Sequence, residues 1–374
     1  TDSAYTQGGS LVLDGQDAID GIGIKVAPTG YAGTLTLQSG STVTVTGDGS
    51  TGLAVFGPLT GSIRFEGSVV VTGEDAAGLV TTAPITGVIS NSGSITAQGI
   101  ASPSSKGDNP LGGWAMAIGG SVSDGIYNAG PDAANVGAAA ARLSTLGDKP
   151  TLWISPGVPG AAAQDLTIGK LDDPDNIAGI DNVYSIVNRG AIGANGVDPG
   201  VNSTAILIAG DGGHTATLEG GLFNGNIISS LAHSGDKTAA PAEAVAIEIG
   251  NGGVGTKIVN QAQIAASTQG VGGGSATAIL IDDGGSLGSL ENGGSIKASV
   301  ILSDPKNFQG SVTACAICDL SGTLTSVANA GTISATATDA DGAVIETIAA
   351  DLSHGAGNVT FTNKGTVVGD VLFG

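Results

Sequence analysis

Apolar and polar residues alternate with a period of two through the short stretches that fill most of this chain. Val245, Ile247 and Ile249 bracket Glu248, and Ile206 and Ile208 fall at matching places. Successive side chains of a strand point to opposite faces, so these apolar residues are expected inward and Glu248 outward. Gly, Asp, Asn or Ser separates each stretch from the next, and these residues favour turns. In the first third of the chain, stretches 22–26, 34–37 and 42–45 make one such set, and 52–56, 62–65 and 69–71 a second. The pattern predicts short strands almost throughout.

The strands recur in a fixed frame. Copies of the motif Asn-x-small-x-Ile, or a near variant, begin at Asn91, Asn128, Asn188, Asn224, Asn260, Asn292, Asn329 and Asn363. By subtraction they lie 37, 60, 36, 36, 32, 37 and 34 residues apart. A period of this length is the mark of a solenoid, in which each unit buries its apolar face only by stacking on the next. Aligned on Asn292 and Asn329, each unit holds three stretches and three turns. The predicted fold is therefore all-β, a single right-handed parallel β-helix over residues 1–374. About ten coils at roughly 4.8 Å each give a rod on the order of 50 Å long. The alignment sets Ile206, Ile247, Ile279, Ala316 and Ile345 in one interior column. It sets Asn260, Asn292, Asn329 and Asn363 as a structural ladder at one corner. Asn suits such a corner because it tolerates left-handed backbone and its amide can both donate to and accept from an identical amide one coil away.

The longest interval marks an insertion, assigned to residues 129–183 and expected to project from the side of the rod. Within it, 131–146 predicts a short helix: Pro131 and Asp132 open it, alanines fill 138–141 and Gly147 follows its end. Trp114 and Trp153, the chain's two tryptophans, fall in this neighbourhood and are expected to pack together. A long loop on a rigid scaffold either carries function or covers a flank.

Composition narrows the partners. The chain has 65 Gly and 3% aromatics, which suits a narrow interior with tight corners. Its net charge of −21, from 33 acidic against 12 basic residues, argues against nucleic acid or anionic lipid as a partner. No apolar run reaches the length of a membrane span, and any signal peptide is expected to have been removed before Thr1. Carboxylates gather at predicted turns, among them Asp282 with Asp283 and Asp339 with Asp341. Stacked in successive coils, these are candidate oxygen ligands for calcium; the plainer reading is that Asp favours turns and keeps the surface soluble. No other cofactor is implied. Cys315 and Cys318 are the only cysteines. Three residues apart on an extended strand they would lie roughly 10 Å from each other, beyond disulfide reach. The repeat alignment sets Cys318 at the inward position of Ile281 and Cys315 at the outward position of Ala278, so two separate thiols are expected.

No catalytic residue is assigned. His214, His233 and His354 fall in separate Gly- or Ser-rich segments, and no Gly-Lys-Ser/Thr phosphate loop occurs. The enzymatic alternative is a polysaccharide lyase or hydrolase. Such a site pairs Asp clusters with basic residues, and the chain's only arginines are Arg64, Arg142 and Arg189.

The recurring Ile-x-Asn-x-Gly-x-Ile-x-Ala pattern, seen at 88–97 and 327–335, resembles the passenger domains of bacterial autotransporters, including those of alphaproteobacterial surface proteins. The resemblance covers most of the chain from about residue 78 onward. It implies a secreted protein at the surface of a Gram-negative bacterium, and stretch 369–374 resembles one that leads toward an outer-membrane β-barrel of the same precursor. The function it implies is non-enzymatic and structural or adhesive: a surface-layer, filament or adhesin subunit. Self-association is the expected partnership, with host surfaces, neighbouring cells or surface polysaccharide as further partners.

Overall fold

The computed structural model describes residues 4–14, 20–99, 112–130, 140–172, 182–235, 241–308, 310–340, 342–355 and 357–374. The chain winds through three long sheets in the same order on every turn. The first sheet runs from Tyr5–Gln7 to Thr360–Asn363, the second from Ser10–Asp14 to Thr366–Val368, the third from Ile22–Val26 to Asp370–Phe373. Each strand lies parallel to its equivalents in the coils on either side. Each path holds 11 strands, one more coil than the spacing suggested. This is a parallel β-helix.

The main apolar core runs from Val26 to Leu352, with two smaller buried clusters beside it. In the third sheet Leu53, Leu79, Met116, Leu152, Ile206, Ile247, Ile279 and Ile317 follow one another as register partners. All are buried. The column expected from the sequence is therefore corrected at its end: Ile317 takes the place given to Ala316, and Ile345 lies opposite Val312. The strand Ser311–Asp319 is one residue out of step with the asparagine frame, pairing Thr313 with Ser275. The next turn absorbs the slip. Ile281 and Ser289 are eight residues apart, whereas their partners Asp319 and Ser326 are seven apart. Asp319 closes that shorter turn from a fully buried position, accepting hydrogen bonds from Gly322 N at 2.9 Å, Leu324 N at 2.9 Å and Ser321 Oγ at 2.7 Å.

The side segment is corrected too. Arg142–Leu146, assigned to the helix 131–146, is a strand of the second sheet, paired with Ser94–Gln98 and Ala191–Pro199. Leu152–Ile154 joins the third sheet, and Leu166–Ile168 pairs with Ala216–Leu218. Much of 129–183 thus belongs to the coil itself; 131–139 and 173–181 lie outside the described residues. The strand wins because both neighbours saturate its backbone and Leu143 fills the gap between Ile95 and Ile192 in the core. Among the described residues the one helical segment is a 3₁₀ turn at Pro305–Asn307.

Candidate functional site

The eight asparagines form one column at the ends of first-sheet strands. Each donates its amide Nδ2 to Oδ1 of the next, at 2.7–2.9 Å, from Asn91 through Asn128, Asn188, Asn224, Asn260, Asn292 and Asn329 to Asn363. The same Nδ2 reaches a backbone carbonyl of the next coil, as Asn224 does with Gln263 at 3.0 Å. Several Oδ1 atoms also accept from their own backbone two residues on, as Asn260 does from Ala262. One side chain thus ties its turn to the next coil. The left-handed backbone expected of these residues is absent. Among the described non-glycine residues only Asp20, Asp75, Asn182 and Val197 have positive φ. The asparagines are the last residues of regular strands, and the amide bonds alone account for them.

The outer face of the third sheet carries a second, less regular feature. In most coils two successive residues point inward, as Ala246 with Ile247, Ala278 with Ile279 and Ala316 with Ile317, and all six are buried. The flanking residues then both face outward. Gly or Ala occupies the first inward position in most coils, including Gly52, Gly78 and Ala115, with the buried Thr151 an exception; a Cβ on Gly52 would lie 2.7 Å from the Gly78 carbonyl oxygen. This bend overturns the expectation of two separate thiols. Cys315 and Cys318 form a disulfide, with their Cα atoms 6.1 Å apart. They stack on Thr277 and Leu280, not on Ala278 and Ile281.

Two outward columns therefore converge along the sheet and make a trough. One includes Ala54, Val80, Ala117, Trp153, Leu207, Glu248, Leu280 and Cys318. The other includes Thr51, Ala77 and Trp114, and farther along Val245, Thr277 and Cys315. Trp114 and Trp153 stack between them at 5.4 Å, with their planes 22° apart. At this end the trough opens into a recess of about 430 Å³. Phe56, Val80, Trp114, Ala117, Val158 and Pro159 line its apolar part, and Asp20, Asp48, Glu74 and Asp75 its acidic part. Hydrogen bonds stack those acidic turns: Asp20 N donates to Asp48 O at 2.9 Å, and Glu74 N to Asp48 Oδ1 at 2.9 Å. Two ammonium groups of the chain already sit here. Lys25 Nζ lies 5.2 Å from the Phe56 ring centre and Lys149 Nζ 5.4 Å from that of Trp114, the latter also 3.1 Å from Asp75 Oδ1.

Midway along the trough, burial and the nearby Asp282 and Glu243 carboxylates push the Glu248 carboxyl up to about 7. Of the calcium candidates, Asp282 and Asp283 occupy the turn after Gly274–Ile281, Asp339 lies beyond Thr332–Ala337, and Asp341 falls outside the described residues. Among the described residues no three His, Cys, Asp or Glu side chains group as a metal site. His214 Nδ1 stands 3.6 Å from Asp165 in an exposed turn. The Thr215 backbone N–H, and less strongly His214, hold the Asp165 carboxyl below its usual range. The trough went unread in the sequence. Its signal was the Gly/Ala column at the bend, visible once the third strand is aligned on itself instead of on asparagine. Neither a family model, nor a curated protein, nor a solved structure matches this chain.

Proposed function

We propose that this chain is a non-enzymatic cell-surface protein of a Gram-negative bacterium, a stiff rod that works by assembly or adhesion. The carrying observation is the stack itself, a main core and an asparagine ladder spanning coil after coil. Such a rod repeats its outer face at fixed spacing, which suits many weak contacts made together. The resemblance of 88–97 and 327–335 to autotransporter passengers supports secretion and a β-barrel in the same precursor. Strands of the first and last coils pair on one side only, and Val12, Val368 and Phe373 there are exposed. A further coil, of a longer chain or of a second copy, fits such an edge. At a net charge of −21, close approach of copies needs screening or bridging cations, calcium among them.

Light scattering and negative-stain imaging of concentrated protein, with calcium and after chelation, test the reading. Ordered assemblies that shrink on chelation are expected. A carbohydrate-active enzyme is the second reading, favoured by Glu248, a carboxyl held near neutrality in a trough as a general acid would be. Protein that stays monomeric with calcium and shortens a polysaccharide would replace the first reading with the second.

A further inference from the structure

The recess at the tryptophan end of the trough joins two chemistries that rarely meet by accident. Its apolar part is aliphatic and aromatic, and its acidic part carries four carboxylates. Among the described residues only Asp75 of the four has a cation in ion-pair contact. A lysine side chain matches both parts at once, with a methylene stem for the apolar wall and an ammonium for the carboxylates. The chain demonstrates the fit with its own residues, since Lys25 and Lys149 each set an ammonium over an aromatic ring of this recess. Beyond the recess the trough continues between two columns of side chains and passes the half-buried Glu248. An extended strand laid along it would present alternate side chains to its floor.

We propose that this trough docks an extended, lysine-bearing segment of a partner protein, with one lysine seated in the recess beside the Asp20, Asp48 and Glu74 carboxylates. The inference rests on the adhesive reading and supplies its partner chemistry. It does not depend on self-association, so monomeric protein that binds the peptide would leave it standing.

The two tryptophans of the chain both lie at this trough, so intrinsic fluorescence reports on it alone. The whole chain is titrated at low salt with the capped peptide Ala-Lys-Ala-Lys-Ala-Lys-Ala. A saturable emission change is expected, weakening as salt rises. The variant Asp48→Asn/Glu74→Gln should raise the dissociation constant at least tenfold, while Glu291→Gln/Asp339→Asn, at exposed positions on the first sheet and just beyond a strand of the second, should change it less than twofold. If the first variant loses its native circular dichroism, Glu74→Gln alone is used, with a threefold rise expected. Equal weakening by both double variants would reduce the binding to general charge attraction and overturn the proposal. No saturation, or saturation by a glucosamine hexamer and not by the peptide, would overturn it as well.

Discussion

Asn224 gives its side-chain amide to Asn260 at 2.8 Å across a fully buried gap between coils, and the same nitrogen holds the Gln263 carbonyl at 3.0 Å. Both asparagine side chains are fully buried, so an amide that loses its ladder partner has no bulk water to turn to. Asn260→Ala therefore removes the acceptor of one asparagine and the donor to the next. A loss of about 2–4 kcal/mol is expected, from unmade hydrogen bonds plus a small void. Asn363→Ala, at an exposed position with one ladder bond, should cost about 1 kcal/mol or less. Urea titration followed by circular dichroism compares the two; equal midpoint shifts would show that burial of the amide is not what matters.

The interior column makes a sharper test. Ile279 is fully buried between Ile247 and Ile317, whereas Ile301 is exposed. Ile279→Asp places an unpaired carboxylate in the core at a cost of several kcal/mol, enough to open the neighbouring coils to limited proteolysis. Ile301→Asp should leave the digestion pattern unchanged.

Glu248 ties stability to pH. Its folded-state carboxyl is raised from 4.5 to about 7, so the folded chain holds a proton that the unfolded chain releases. The associated stability is fully present below about pH 4.5 and is lost as pH rises to about 7, amounting to roughly 2–3 kcal/mol. Glu248→Gln keeps the shape and cannot ionise. Melting temperatures measured from pH 4 to 8 should fall for the native chain across that window and stay flatter for the variant.

The disulfide closes only a four-residue loop, so the chain-entropy account gives it about 2 kcal/mol. Cys315→Ser/Cys318→Ser should lower the denaturation midpoint by that measure, and reductant should lower the native chain to the same value. A midpoint indifferent to both would show that the Ala316–Ile317 bend holds itself.

Asp319 carries the last prediction. Its carboxylate accepts from the Gly322 and Leu324 backbone in the shortened turn. Asp319→Ala leaves the buried Leu324 donor and the half-buried Gly322 donor unpaired and should cost about 2–3 kcal/mol. Asp319→Asn retains one acceptor oxygen and should lose less. Hydrogen exchange at Leu324 measures both.

Repetition made the solenoid legible, because asparagine must recur in register for its amide to meet the next. The column of Ile206, Ile247 and Ile279 was legible for the same reason. Features that break register were hidden. Fixing the frame on Asn292 and Asn329 moved every residue of Ser311–Asp319 by one place, which misassigned Ala316, Cys315 and Cys318 together. The alanines before Arg142 suggested a helix, since helix propensity is local while the neighbours that draw Arg142–Leu146 into the sheet lie about fifty residues away. The trough depends on which residues turn inward twice in succession, and a strict period of two cannot show that.

Every amide of the asparagine column faces the same way, donor toward the later coil and acceptor toward the earlier. Side-chain dipoles aligned in a dry column add, as peptide dipoles do along a helix. The rod therefore has an electrical direction, with partial positive charge toward Asn363 and partial negative charge toward Asn91. Two rods approaching along their axes are drawn together head to tail and repelled head to head. A filament of such rods would be polar, and its two tips would be chemically different places to add the next one.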